Sequence, residues 1–335
     1  MVALRADMDG LPVKEMTGLS YASNQKSVYN GKNVDVMHAC GHDAHVAILM
    51  GVAEYFSSIR NKIPGSIMFI FQPAEEGAPV GEQGGARLML KEGIWSKDLP
   101  DVIFGLHVTN APHGLIAYRE GPAMAASDSW KIIIKGKQAH GSAPWSGVDP
   151  IVISAKIIDG FQTIISREAP LVDEAAVITV GKITSGVRFN IIPESAEMIG
   201  TVRTLDPDMR TLIIKRMTEM AQNISKAYGG EASIEWQNNT VVTYNDPGLT
   251  AQMVPTLEKV AGTEQVVVTK ATTGGEDFSY FQEEVPGFYF FLGGMTPGNT
   301  TPYPHHTPDF QIDDNGMLLG VKVMSQLALD YLNAQ

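Results

Sequence analysis

Hydrophobic and polar positions along this chain recur as one unit: an apolar run of strand length, a polar loop, then helical periodicity. Residues 2–5 read as a short strand, followed by the loop Asp7-Met-Asp-Gly-Leu-Pro12. Over residues 44–59 the apolar positions Val46, Leu49, Val52, Tyr55 and Phe56 predict a helix, with Asp43 as its N-cap. Residues 65–71 are a strand-length apolar run ending in Gln72-Pro-Ala-Glu-Glu76. A helix is predicted over 84–90, and 101–107 reads as a buried strand ending on His107. This repetition implies an open α/β sheet, whose ligands gather at the carboxyl ends of its strands.

The pattern then changes. Strand-formers at 129–135 lead to a loop at 136–144, a helix over 150–167, strands at 176–183 and 196–203, a long amphipathic helix over 208–228 and a strand at 232–237. That β-α-β-β-α-β order predicts a ferredoxin-like layer covered on one face. From about residue 245 helix and buried strand return, with 287–293 as a strand and 316–332 as the last helix. The expected organisation is one α/β domain from 1–121 and 244–335, with a second domain, 122–243, inserted in it.

Composition narrows the function classes. The 335 residues suit two domains, and 44% hydrophobic with 19% charged residues is an ordinary globular profile. No run of about 18 apolar residues predicts a membrane span. A net charge of −12 argues against nucleic acid or anionic membranes as partners. The single cysteine, Cys40, excludes an intramolecular disulfide. The start, Met-Val-Ala-Leu-Arg-Ala-Asp, lacks a signal-peptide pattern, so a cytoplasmic protein is expected.

Four clusters at predicted strand ends or loops carry metal-type side chains: Cys40 with His42, Glu75 with Glu76, His107, and His305 with His306. Cys40-Gly-His42 offers a thiolate and an imidazole in a turn, which suits zinc. Strand alternation implies that Glu75 and Glu76 point apart, one to a metal and one to the substrate as a base. A metal lowers the pKa of its bound water and a nearby carboxylate takes the proton, which is hydrolytic chemistry. Each cluster has an ordinary reading too: a buried small thiol, a solvated acidic pair, an interior histidine, a surface loop. The segment Gly81-Glu-Gln-Gly-Gly85 lacks the spacing of a nucleotide-binding fingerprint.

His38-Ala-Cys-Gly-His-Asp-Ala-His45, Phe71-Gln-Pro-Ala-Glu-Glu-Gly77, Gly105-Leu-His107, Ala139-His-Gly-Ser-Ala-Pro144, Gly274-Gly-Glu-Asp-Phe-Ser279 and His306-Thr-Pro308 together resemble the M20 metallopeptidase family. The nearer match is its amidohydrolase branch of N-acyl-amino-acid amidohydrolases (aminoacylases), hippurate hydrolases and auxin-conjugate hydrolases. The resemblance covers nearly the whole chain, in family order. It implies an α/β di-metal catalytic domain, with a mostly parallel sheet flanked by helices, and an inserted ferredoxin-like α+β lid and dimerisation domain. It implies two divalent metal ions, zinc first with manganese, cobalt or nickel as alternatives, on Cys40, His42, Glu76, His107 and His306. Glu75 is then the general base on a metal-bridging water.

Asp7 and Asp9 match the branch's Arg-Ala-Asp-Met-Asp motif; Asp9 is read as orienting a ligand, and His45 as either a ligand support or helix packing. His140 matches a histidine that polarises the scissile carbonyl. Asn190, Arg203 and Glu276 match substrate-side positions. The resemblance implies hydrolysis of the acyl–amino acid amide, in a homodimer acting on small N-acyl-amino acids or short peptides. Rival readings are a di- or carboxypeptidase, an N-acetyl-diaminopimelate-type deacetylase, or a catalytically silent metal- or ligand-binding protein on the same fold. Family members carry helices and a strand before the Arg-Ala-Asp-Met-Asp motif, whereas this chain starts almost on it. An apolar surface near Leu4 and the 44–59 helix is therefore expected to be open or covered by a partner.

Overall fold

The computed structural model describes residues 1–299 and 301–335. The chain divides into two compact units: Met1–Ala123 with Thr243–Lys270 and Asp277–Gln335, and Met124–Val242 with Ala271–Glu276. Residues 271–276, expected in the flanking part, group with the inserted unit. There the Ala125 N–H donates to the carbonyls of Thr272 (3.1 Å) and Gly274 (3.0 Å).

In chain order, the first unit opens with β1 (Val2–Asp7), buried along its whole length. A small exposed hairpin (Lys26–Tyr29 with Lys32–Asp35) precedes α1 (His42–Ser58). Then come β2 (Ile67–Gln72), α2 (Gly85–Lys91), β3 (Val102–Pro112) and β4 (Ile116–Tyr118). The inserted unit holds β5 (Ala126–Lys135), α3 (Pro150–Thr163), β6 (Ala176–Ser185), β7 (Ser195–Thr204), α4 (Pro207–Ala227) and β8 (Glu231–Thr240). The chain returns through α5 (Pro247–Ala261), β9 (Val266–Val268), α6 (Ser279–Glu284), β10 (Gly287–Met295) and α7 (Met317–Asn333).

The first unit's sheet has the order β9-β4-β10-β3-β1-β2. Its pairs are parallel except β4 with β10. Central β1 places Leu4 between Phe69 of β2 and Phe104 of β3. Val2, Leu4, Phe104, Phe288 and Phe290 form one core with Ile48 and Val52 of α1 and Val323 and Leu327 of α7. Each such side chain contributes about 1.5–3 kcal/mol on burial, and this layer sets β1, β2 and β3 side by side. Their carboxyl ends therefore open on one edge. Leu4 itself is fully buried, whereas on α1 Met50 (60% exposed) and Tyr55 face outward.

The inserted unit is an antiparallel sheet of order β6-β7-β5-β8. Alternate residues of β5, Trp130, Ile132 and Ile134, turn inward against Ile157 and Phe161 of α3 and Ile213 and Met217 of α4. Both helices start from an aspartate cap followed by proline, Asp149-Pro150 and Asp206-Pro207. The β-α-β-β-α-β order is the one the periodicity predicts. Among the described residues no helix is long and apolar enough to cross a membrane.

Candidate metal centre

Three backbone irregularities bring the candidate ligands to the open edge of the β1–β3 ends. The first is Gly41, at φ +83°, where a Cβ would lie 2.3 Å from Val108 Cγ2. Only glycine allows Cys40 and His42 to sit so close to Val108 of β3. The same turn starts α1 at His42, with Gly41 in the cap position and no side-chain cap, so Asp43 lies inside the first turn and is not the expected N-cap.

The second is Ala74, a non-glycine residue at φ +56°. β2 stops at Gln72, so Glu75 and Glu76 sit in a turn rather than on a strand. The expected strand alternation does not apply, and both carboxylates face one place: ligand atoms of His42, Glu75 and Glu76 lie within 4.8 Å of one another. The third is His306, at φ +63°, whose N–H donates to the Ala39 carbonyl at 2.8 Å. Strained backbone of this kind concentrates at functional sites.

The resulting cluster is tight. Cys40 Sγ lies 3.4 Å from both His107 Nε2 and His306 Nε2. His306 Nε2 lies 2.8 Å from Glu76 Oε1, and His42 Nε2 lies 4.0 Å from Glu75 Oε2. Donors with bonds of about 2.0–2.3 Å to a shared ion stand at roughly such spacings. His42 Nδ1 is 3.1 Å from Asp9 Oδ1, and Asp9 Oδ2 accepts the Glu76 N–H at 3.0 Å. Asp9 thereby holds the imidazole with Nε2 turned into the cluster, where it is buried with no hydrogen-bond partner among the described residues. His305 is separated from its neighbour: its Nε2 is 3.2 Å from the Val108 carbonyl oxygen, not in the cluster.

Burial, with the Glu76 and Glu75 charges behind it, pushes the Cys40 thiol far up. Burial also opposes charge on His42, but the Asp9 hydrogen bond and the Asp7 and Asp9 charges outweigh it and lift His42 to about 9. For Glu76, burial acts upward and the His306 hydrogen bond and charge bring it below the usual carboxylate range. A soft sulfur among carboxylates and imidazoles, with an orphaned ring nitrogen, is a donor set that a divalent cation neutralises and satisfies. The residues present therefore fit a metal ion.

Behind the cluster lies a buried polar network that the pattern reading missed. Arg5 Nη1 donates to Asp7 Oδ2 (2.7 Å), its Nη2 to Asp277 Oδ1 (3.2 Å), and its Nε to Gln72 Oε1 (2.9 Å). Asp7 Oδ1 lies 2.5 Å from His45 Nδ1, and His45 Nε2 accepts the Val108 N–H at 2.9 Å. An accepting Nε2 puts the ring proton on Nδ1, and burial holds His45 down at about 3. His45 is therefore a tether between Asp7 of β1 and Val108 of β3, beside His107, rather than plain helix packing. The available signal was Arg5 itself: an arginine inside an apolar run must be paired when buried.

In the inserted unit the structure brings His140 and Asn190 together. His140 pairs with Ile191 across a two-residue ladder, and the Gly141 N–H donates to the Asn190 carbonyl at 2.8 Å. His140 is exposed, its Nδ1 accepting the Ser142 N–H at 3.1 Å. Arg203, on β7, is half-buried and bonds Thr201 Oγ1 and the Val202 carbonyl. Glu276 is buried at the end of the 271–276 segment.

Residues 3–330 match the family model described as peptidase family M20/M25/M40. Thermostable carboxypeptidase 2 of Saccharolobus solfataricus is 38% identical over 334 residues, 99% of this chain and 81% of that protein. The N-acetyl-L-cysteine deacetylase of Bacillus subtilis is 37% identical over 95% of this chain and 71% of its own length. A crystal structure of a dinuclear metal-binding M20 peptidase from Bacillus subtilis superposes with a TM-score of 0.81 at 32% identity, covering 100% of this chain and 82% of that one. This chain belongs to the M20 metallopeptidase family, and it is a hydrolase of amide or peptide bonds.

Proposed function

We propose that this protein is a two-metal amidohydrolase that releases an amino acid from a small N-acyl-amino acid, with Glu75 as general base. Cys40, His42, Glu76, His107 and His306 would hold the ions, zinc being best suited to the thiolate and imidazoles. Such ions, when bound, acidify a water and polarise a carbonyl. Glu75 takes the proton from the attacking water on Oε2, the oxygen facing His42 Nε2, and returns it to the departing amine nitrogen. Asp9 keeps His42 in the tautomer that presents Nε2. His140 is proposed as the donor to the scissile carbonyl, Arg203 as a partner for a substrate carboxylate, and Asn190 and Glu276 as substrate-side residues.

The observation that carries this reading is the convergence of five metal-type donors and a sixth, base-type carboxylate at one sheet edge. The deacetylase relative supports the acyl-amino acid as substrate class. The carboxypeptidase relative favours a second reading, cleavage of a C-terminal peptide bond by the same residues. A homodimer is proposed on the open edge strand β6, which exposes Val177 and Ile183. A cytoplasmic site of action belongs to the same proposal.

Purified protein loaded in turn with zinc, manganese, cobalt and nickel should hydrolyse acetyl- or benzoyl-amino acids faster than dipeptides, C-terminal peptide bonds or N-acetyl-diaminopimelate. Elemental analysis should find two ions per chain. Faster peptide cleavage would move the assignment to the carboxypeptidase reading, and a protein that retains no metal would remove the centre altogether. Asp9→Ala is expected to weaken metal binding roughly 10- to 100-fold; competition with a chelating dye measures it, and an unchanged affinity would contradict the role given to Asp9.

A further inference from the structure

We infer that Asp277 is the positioning residue for Glu75, acting through its own backbone N–H. This rests on the reading of Glu75 as general base. The Asp277 N–H donates to Glu75 Oε1 at 3.4 Å, while Glu75 Oε2 is the oxygen nearer His42. One carboxylate oxygen is thus anchored and the other faces the reacting edge.

The backbone at 277 is held by its side chain. Asp277 Oδ1 accepts from Gln72 Nε2 at 2.6 Å and from Arg5 Nη2 at 3.2 Å. Oδ2 accepts the Ala86 N–H, at the start of α2, at 2.7 Å. Three pieces of the first unit, β1, β2 and α2, therefore hold this carboxylate. The fit leaves no slack at Gly85, where φ is +70° and a Cβ would lie 2.2 Å from Asp277 Oδ2. Asp277 is buried, and the Arg5 guanidinium also lies 5.8 Å from the ring of Phe278, which fixes the following residue.

The physical consequence concerns the base. A donor on Oε1 holds the carboxylate in place, so the rotation of Glu75 that would carry Oε2 away from the water is restrained. Asn at 277 keeps the size but places an amide NH2 against donors that need an acceptor. The lock loosens, and the 277 N–H drifts from Glu75.

The test uses the metal-loaded enzyme. Asp277→Asn is expected to lower kcat roughly 10- to 100-fold with KM changed by less than about twofold and metal content unchanged. A residue that merely supports the fold would not lower kcat alone in a folded, metal-loaded enzyme. The double variant with Glu75→Gln should be no slower than Glu75→Gln alone, since Asp277 acts through Glu75. Additive losses, or an unchanged kcat in a folded, metal-loaded variant, would overturn the inference. Should Asp277→Asn not fold, Gln72→Met removes the shortest of the three side-chain bonds more gently and must lower kcat in the same way, with no further loss on top of Glu75→Gln. Full activity in Glu75→Gln is a separate result: it would remove the base assignment itself.

Discussion

Glu75→Gln is expected to lower kcat by roughly 10²- to 10⁴-fold, the usual contribution of a general base. Glutamine keeps the length of the side chain and an oxygen that can still accept the Asp277 N–H, so the anchoring of Oε1 survives. What is lost is a basic oxygen beside His42 Nε2. Metal content should match the wild type, because the metal-type donors of the cluster are untouched. Steady-state kinetics on an acyl-amino acid with parallel elemental analysis decides the matter. A variant that keeps both its metal and full activity would show that another group moves the proton.

The second large effect is on stability. Arg5→Met should destabilise the fold by about 3–5 kcal/mol, the usual cost of leaving buried partners of an ion pair uncompensated. Arg5 lies between two carboxylates, Asp7 and Asp277, and all three are buried. Methionine fills much of the same volume, so packing contributes little to the expected loss. Urea unfolding of the two proteins measures the difference, and a change under about 1 kcal/mol would mean that Arg5 is not what pays for those charges.

A pH signature accompanies it. Burial alone would raise the Asp7 carboxyl, yet the hydrogen-bonded His45 and the Arg5 charge outweigh it and hold Asp7 well below the usual range. A carboxyl depressed in the folded state stabilises the fold fully above its unfolded value, near about 3.9, and that stability is lost as pH falls through the folded value. Without Arg5 the folded value rises, so acid unfolding should begin at a higher pH in Arg5→Met than in the wild type.

How much of this was legible in one dimension differs by feature. The spacing Cys40-Gly-His42 and the Glu75-Glu76 pair could be read because chain-local pattern places them beside the strand ends of a parallel sheet, whereas His107, expected as the last residue of its strand, lies inside β3, which runs on to Pro112. The identity of the member of the His305-His306 pair that joins the cluster could not be read from spacing. It depends on the left-handed backbone of His306 and on the Ala39 carbonyl that catches its N–H, from residues far away in the chain. Strand alternation misjudged Glu75 and Glu76 because Ala74 turns the chain before either side chain is placed.

The sequence by itself determined the layers and their order. Periodicity of 2 and 3.6 is a local property, and the change from an open α/β pattern to a β-α-β-β-α-β run is written in it. It also determined the chemistry on offer, through one thiol, a set of imidazoles and paired carboxylates. Only the tertiary structure decided which oxygen of Glu75 faces the cluster, which nitrogen of His42 is left open, and that Arg5, Asp7, Gln72 and Asp277 form one buried unit. Those outcomes depend on contacts between residues as far apart as 5 and 277. Such contacts are set by the packing of the whole sheet, and by the requirement that a charge taken out of water find its partner.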